Sequence, residues 1–97
     1  MKKFTITGKV WRYGGQGAWH FVYVNEKISR QIKDANRNKK KVGWAFARIK
    51  ATIGKTSWNT TLFPTKDGPF LLAIKADVRA KEDIADGDIV KVECLLL

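Results

Sequence analysis

The sequence is poor in the residues on which metal sites and disulfide frameworks depend. Its 97 residues include one cysteine, one histidine and two prolines. A lone thiol forms no intrachain disulfide, and because Cys94 stands in the apolar run IVKVECLLL, we expect it to be a small buried side chain. No Cys or His residues have metal-ligand spacing, so the sequence predicts no metal site, and we expect no cofactor.

Long apolar segments are absent as well. No run approaches the roughly 20 residues that a membrane helix needs. At the N-terminus two lysines are followed by alternation with Thr rather than by an apolar segment, so we expect no signal peptide. With 44% hydrophobic residues the chain is typical of folded proteins. We predict one domain over residues 1–97, monomeric, cytoplasmic and without a membrane partner.

Positive charge is abundant and uneven. Residues 1–50 contain 13 Lys or Arg and 2 Asp or Glu, a net charge of +11, whereas residues 51–97 contain 6 and 7, a net charge of −1. This surplus favours an anionic partner such as a nucleic acid or another polyanion. The alternative is that the lysines only maintain solubility.

Alternation of apolar and polar residues predicts a mainly β fold. Residues 26–35 instead repeat their apolar positions at helical spacing after Asn25, a good N-cap, and a short helix is expected at 76–81. Gly54 and Lys55 suit a type II′ hairpin turn. The six predicted strands are Lys3–Trp11, Trp19–Val24, Trp44–Ile53, Thr56–Phe63, Phe70–Lys75 and Ile89–Leu96.

Six short strands in one small domain favour a closed or nearly closed β-barrel. A faint repeat adds to this interpretation, because GAWHFVYVNEKI resembles GPFLLAIKADV and TITGKVW resembles TIGKTSW at offsets near half the chain. The repeat favours an internal duplication about a pseudo-twofold axis, and chance similarity of short strands is the alternative.

Five segments, taken in order, resemble a known family: GAWHFV (17–22), KATIG (50–54), SWNTTLFP (57–64), IKADVR (74–79) and DGDIVKVE (86–93). They are similar to the small bacterial domain of unknown function numbered nineteen-oh-five. The resemblance implies a double-split β-barrel, distantly like the AbrB regulators, and some members are fused to a domain associated with bacteriocin protection. Asn25 and Ala73 stand where many members have Pro. The family has no agreed activity, so the resemblance implies a fold rather than a function.

Catalytic constellations are not evident. His20 has no nearby acidic partner in sequence except Glu26, and neither Ser29 nor Ser57 has the flanking glycines of a nucleophile elbow. We therefore favour a binding protein over an enzyme. The alternative is a small-molecule enzyme with a pocket at one end of the barrel, using His20 or Lys75.

Four tryptophans are more than one small core readily contains, and several stand near basic residues. Exposed rings among cations suit single-stranded nucleic acid, although the rings could instead close the barrel and the lysines only solvate a loop. Lys75 and Arg79 could hold an anion or pair with Asp77, Asp86 or Asp88. We predict a binding or interaction module for an anionic ligand or partner, with nucleic acid or a partner protein domain as alternatives. Its candidate binding residues are Arg37, Lys39, Lys40, Lys41, Trp44, Arg48, Lys50, Lys75 and Arg79.

Overall fold

A computed structural model describes residues 3–14, 19–37, 47–65 and 68–97, without the side chains of residues 35–37. Seven strands and two helices follow one another in these ranges. They are β1 (Lys3–Lys9), β2 (Trp11–Arg12), β3 (His20–Tyr23), α1 (Glu26–Arg37), β4 (Ala47–Ile53), β5 (Thr56–Leu62), β6 (Leu71–Ala73), α2 (Ala76–Lys81) and β7 (Ile89–Leu96).

The strands form two open antiparallel sheets, which we call the large and the small sheet. The large sheet has the order β1-β7-β4-β5, and the small sheet has the order β2-β3-β6. The predicted closed or nearly closed six-stranded barrel is therefore wrong. The mainly β character is confirmed.

The barrel prediction failed because the ladders stop where the chain passes between the sheets. The predicted strand Lys3–Trp11 is divided at Val10, whose N–H donates to the carbonyl of Asp88 and whose carbonyl accepts from Gly87, both at 2.8 Å. β2 and β6 are two and three residues long, too short to continue a ladder. At the other edge, a single isolated bridge between Phe63 and Leu71 joins β5 to β6 in the described residues.

The helix and turn predictions are confirmed. α1 begins at Glu26 as expected and extends two residues beyond the predicted end, and α2 has the predicted bounds. The side chain of Asn25 caps α1 because its Oδ1 accepts the N–H of Ile28 at 2.8 Å. Gly54 has a φ of +58° at the first position of the β4–β5 turn, as a type II′ turn requires. No helix in the described ranges is long and apolar enough to cross a membrane.

The core lies between the two sheets and under the helices. Alternate residues of every long strand point inwards, for example Ile6 of β1, Val92 of β7 and Val22 of β3, all fully buried. Cys94 is buried among them, as predicted, and burial raises the pKa of its thiol to about 12.

The strand–helix segments that the faint repeat aligns lie side by side in the small sheet. β3 leads to α1 and β6 leads to α2, and the two strands pair antiparallel with Val22 opposite Leu72. The duplication itself stays a prediction.

Candidate functional site

The outer surface of the small sheet carries a continuous set of aromatic side chains, which we call the aromatic face. Along β3, His20 and Val22 point into the core, so Phe21 and Tyr23 point outwards. The antiparallel register places further large side chains on the same surface, since Trp11 lies opposite Phe21 and Leu71 opposite Tyr23. The aromatic face consists of Trp11, Tyr13, Trp19, Phe21, Tyr23, Phe63 and Leu71.

The rings of this face pack against one another in a row. Trp19 stacks on Phe21 with ring centroids 6.1 Å apart and planes inclined by 8°. Phe21 contacts Trp11 at 5.3 Å, and Trp11 stacks on Tyr23 at 5.2 Å with planes inclined by 23°. Tyr13 meets Phe21 edge-on at 6.4 Å. Because such pairs contribute about 0.5–1.5 kcal/mol each beyond area burial, the rings hold one another in place without a ligand.

Despite this packing, the face is open to solvent. Trp19 is 55% exposed, Tyr13 53% and Tyr23 52%. A groove of about 400 Å³ runs among Trp11, Tyr13, Trp19, Phe21, Phe63 and Leu71, and its walls are almost entirely apolar. Contiguous exposed patches of this kind are uncommon on soluble proteins and mark interaction sites.

A second cleft, of about 260 Å³, adjoins the groove at Trp19. Ala73 and Ile74 are buried beneath it, and Lys75 and Arg79 line it with His20. Its position follows from the fold, because β6 ends here and α2 begins at Ala76, so residues four apart fall on one side of the junction. We call this the cationic cleft.

The acidic residues that the structure describes do not neutralise the cationic cleft. The Nε of Arg79 donates to the carbonyl of Ile74 at 3.1 Å, which fixes the side chain. In the described part of the chain, no Asp or Glu forms an ion pair with Lys75 or Arg79. Asp77 and Asp88 instead accept backbone N–H groups, those of Val78 and Ala85. The described residues thus contain no ion pair between these cations and Asp77, Asp86 or Asp88, and which partner Lys75 and Arg79 have stays a prediction.

The other predicted binding residues are dispersed or outside the described ranges. Arg48 and Lys50 are exposed on the outer surface of the large sheet, away from the aromatic face. The side chain of Arg37 and all of Lys39, Lys40, Lys41 and Trp44 lie outside the described residues. Among the predicted binding residues that the structure describes, Lys75 and Arg79 lie beside an exposed ring, that of Trp19 at the cationic cleft.

Sequence reasoning missed most of the aromatic face. Trp58 is buried and Trp11 half-buried, so tryptophan content alone did not identify the surface. The available signal was a spacing of two, in W-x-Y at residues 11–13 and W-x-F-x-Y at residues 19–23, which puts all five rings on one face of adjacent strands.

Both residues named by the enzyme alternative, His20 and Lys75, line the cationic cleft. The described residues include no group of three His, Cys, Asp or Glu placed to bind a metal ion.

A family model described as "Domain of unknown function (DUF1905)" matches residues 7–94, nearly the whole chain. A search of curated proteins finds no significant match.

Proposed function

The chain belongs to the DUF1905 family, whose description names no activity, and we propose that it is a binding module for an anionic ligand with a flat apolar part. The apolar part lies on the aromatic face, and the anionic group lies in the cationic cleft. Trp19 lines both the groove and the cleft, so it is the residue at which the two parts of one ligand meet.

The observation that carries this proposal is the exposed row of stacked rings. An exposed aromatic side chain that packs on its neighbours has already lost its rotamer freedom, so binding a ring to it requires little further ordering. Stacking of a planar ligand group on such a side chain is worth about 1–3 kcal/mol per ring.

The charge of the cleft supports an anionic rather than a neutral ligand. A guanidinium whose Nε is held by a backbone carbonyl, as in Arg79, retains its remaining N–H groups for a carboxylate, sulfonate or phosphate. Lys75 adds a second positive charge to the lining of the cleft. Together they favour an anionic ligand over its uncharged analogue.

The experiment compares two fluorescent probes that share one ring system, anilinonaphthalene sulfonate and the uncharged phenylnaphthylamine. We expect the sulfonate to bind more tightly, Trp19→Ala to weaken both probes, and Arg79→Gln to weaken only the sulfonate. Lys81→Gln removes a charge from the same helix outside the cleft, and Ile89→Ala removes an exposed apolar side chain from the other sheet. Neither control should change binding. Equal binding of both probes to all five proteins, or binding to none, would contradict the proposal.

A further inference from the structure

The outer surface of the large sheet has the opposite character to the aromatic face. Its outward positions alternate with the buried core residues of four strands, so they lie in cross-strand rows. They form what we call the basic face: Lys3, Thr5, Thr7, Lys9, Arg48, Lys50, Thr52, Ser57, Asn59, Thr61, Ile89, Lys91, Glu93 and Leu95. Five of these side chains are positive, one is negative, and none is aromatic.

The register brings cations and hydrogen-bonding groups together. Lys3, Leu95, Lys50 and Asn59 occupy one row across the four strands. Neighbouring strands are about 4.8 Å apart, so the backbones of Lys3 and Lys50 are separated by roughly 10 Å. The position between the two lysines is occupied by Leu95, so no acidic side chain separates them in this row.

The single carboxylate on this face does not neutralise the lysines. Glu93 is in the next row, between Thr5 and Thr52. Within the described ranges it forms no ion pair with Lys3, Lys50 or Lys91. A shallow depression of about 510 Å³ lies over these two rows. It is lined by Lys3, Thr5, Lys50, Thr52, Glu93 and Leu95, together with the buried residues Phe4 and Cys94.

Hydroxyl groups among the cations are already positioned. Arg48 donates from Nη1 to the Oγ1 of Thr61 at 2.8 Å, and the hydroxyls of Thr52 and Ser57 are 2.7 Å apart. Lys, Arg, Ser, Thr and Asn side chains are the groups that contact phosphate and sugar in nucleic-acid complexes.

We infer that the basic face binds the phosphate backbone of double-stranded nucleic acid without reading its sequence. The charge complements phosphate, and the hydroxyl groups of the surface can contact a sugar-phosphate backbone. Within the described ranges no aromatic ring lies on this face to stack on unpaired bases, so the duplex is favoured over the single strand. This site is separate from the one proposed above, because it lies on the other sheet.

The test measures the fluorescence anisotropy of a labelled duplex and a labelled single strand from low to physiological salt. We expect tighter binding to the duplex and equal binding to duplexes of unrelated sequence. The variant Lys3→Gln/Lys50→Gln should weaken duplex binding and lower the salt slope by about 1.8, or about 0.9 for each phosphate that is no longer neutralised. The control Lys27→Gln/Lys81→Gln removes the same charge from exposed positions on the two helices and should leave the slope unchanged.

Three results would overturn the inference. The first is duplex binding weaker than ~100 µM at low salt, below ordinary non-specific binding. The second is an equal effect of the control variant, which would assign the binding to net charge. The third is tighter binding to poly-glutamate, to vesicles with anionic lipid or to the single strand, any of which would name a different occupant. Thermal melting of each variant confirms that it is folded.

Discussion

Gly8 of β1 packs against Val22 of β3, which belongs to the other sheet, and Gly8→Ala tests that contact. Gly8 is on the inward side of β1, between Ile6 and Val10, and a Cβ built on it would lie 2.8 Å from Cγ1 of Val22 in β3. Real Cβ contacts are almost never this short, so the Val22 side chain or one of the two strands must shift. Because β3 carries the aromatic face, the contact also sets the position of the candidate site.

The expected loss of stability follows from two opposing terms. Inserting a methyl group into a packed core costs about 1–3 kcal/mol. Alanine regains about 0.5–1 kcal/mol relative to glycine within a strand. We therefore expect Gly8→Ala to lower the free energy of unfolding by up to about 2.5 kcal/mol, and the melting temperature by about 4–8 °C for each kcal/mol of that decrease.

A double-mutant cycle separates the steric clash from other effects. Val22→Ala alone should cost about 2 kcal/mol or more, because it removes two buried methyl groups and leaves a cavity. In Gly8→Ala/Val22→Ala the new methyl group enters the space left by Val22, so the double variant should be more stable than the sum of the singles by about 1 kcal/mol. Gly14→Ala is the control, because a Cβ there meets no atom within 4 Å. Chemical denaturation of the four proteins gives the coupling energy, and purely additive losses would refute the predicted clash.

Three further predictions concern the core and its turns. Gly54→Ala should lower the free energy of unfolding, measured by chemical denaturation, by about 1–3 kcal/mol. Alanine is strained at a φ of +58°, and its Cβ would collide with the carboxylate of Glu82. An unchanged free energy of unfolding would contradict this prediction. Ser29→Ala should cost about 1–3 kcal/mol, because the buried hydroxyl accepts the N–H of Phe70 at 3.1 Å; no loss in the same assay would show that this bond is dispensable. Burial raises the pKa of the Cys94 thiol from 9.0 to about 12, so the unfolded chain ionises this thiol at a lower pH than the folded protein does. The contribution of Cys94 to stability is therefore complete below pH 9 and is lost as the pH rises from 9 towards 12, at about 1.4 kcal/mol per pH unit. The melting temperature of Cys94→Ala should fall less steeply with pH in this range, and identical curves for the variant and the wild type would refute the prediction.

Local features of the fold were predictable from sequence, whereas the sheet connections were not. Asn25 and Gly54 act through neighbours in the chain, so their roles as a cap and a turn residue followed from residue type. The inward pattern Phe4, Ile6, Gly8, Val10 runs without interruption up to the residue at which β1 and β2 are divided. That division depends on the hydrogen bonds of Val10 to Gly87 and Asp88, far along the chain, which no local pattern encodes.

The candidate site was predictable only in part. Lys75 and Arg79 were identified because their spacing of four at a strand–helix junction is a local property. Arg48 and Lys50 lie on a different sheet from Trp11 and Trp19. This separation depends on which strands pair, and the local alternation of residues does not determine pairing. The tyrosines of the aromatic face gave no signal individually, because an exposed tyrosine is ordinary until neighbouring strands place others beside it.

The most direct test of the ligand site follows the indole N–H signals of the tryptophans during titration with anilinonaphthalene sulfonate. Trp19 is exposed on the aromatic face and Trp58 is buried in the large sheet, so they are an internal pair of probe and control. If the aromatic face and the cationic cleft form the site, the Trp19 signal should shift in the wild-type protein and the Trp58 signal should not. The shift of Trp19 should require a higher probe concentration in Arg79→Gln. A shift confined to Trp58, or a Trp19 titration that is unchanged in Arg79→Gln, would contradict the account.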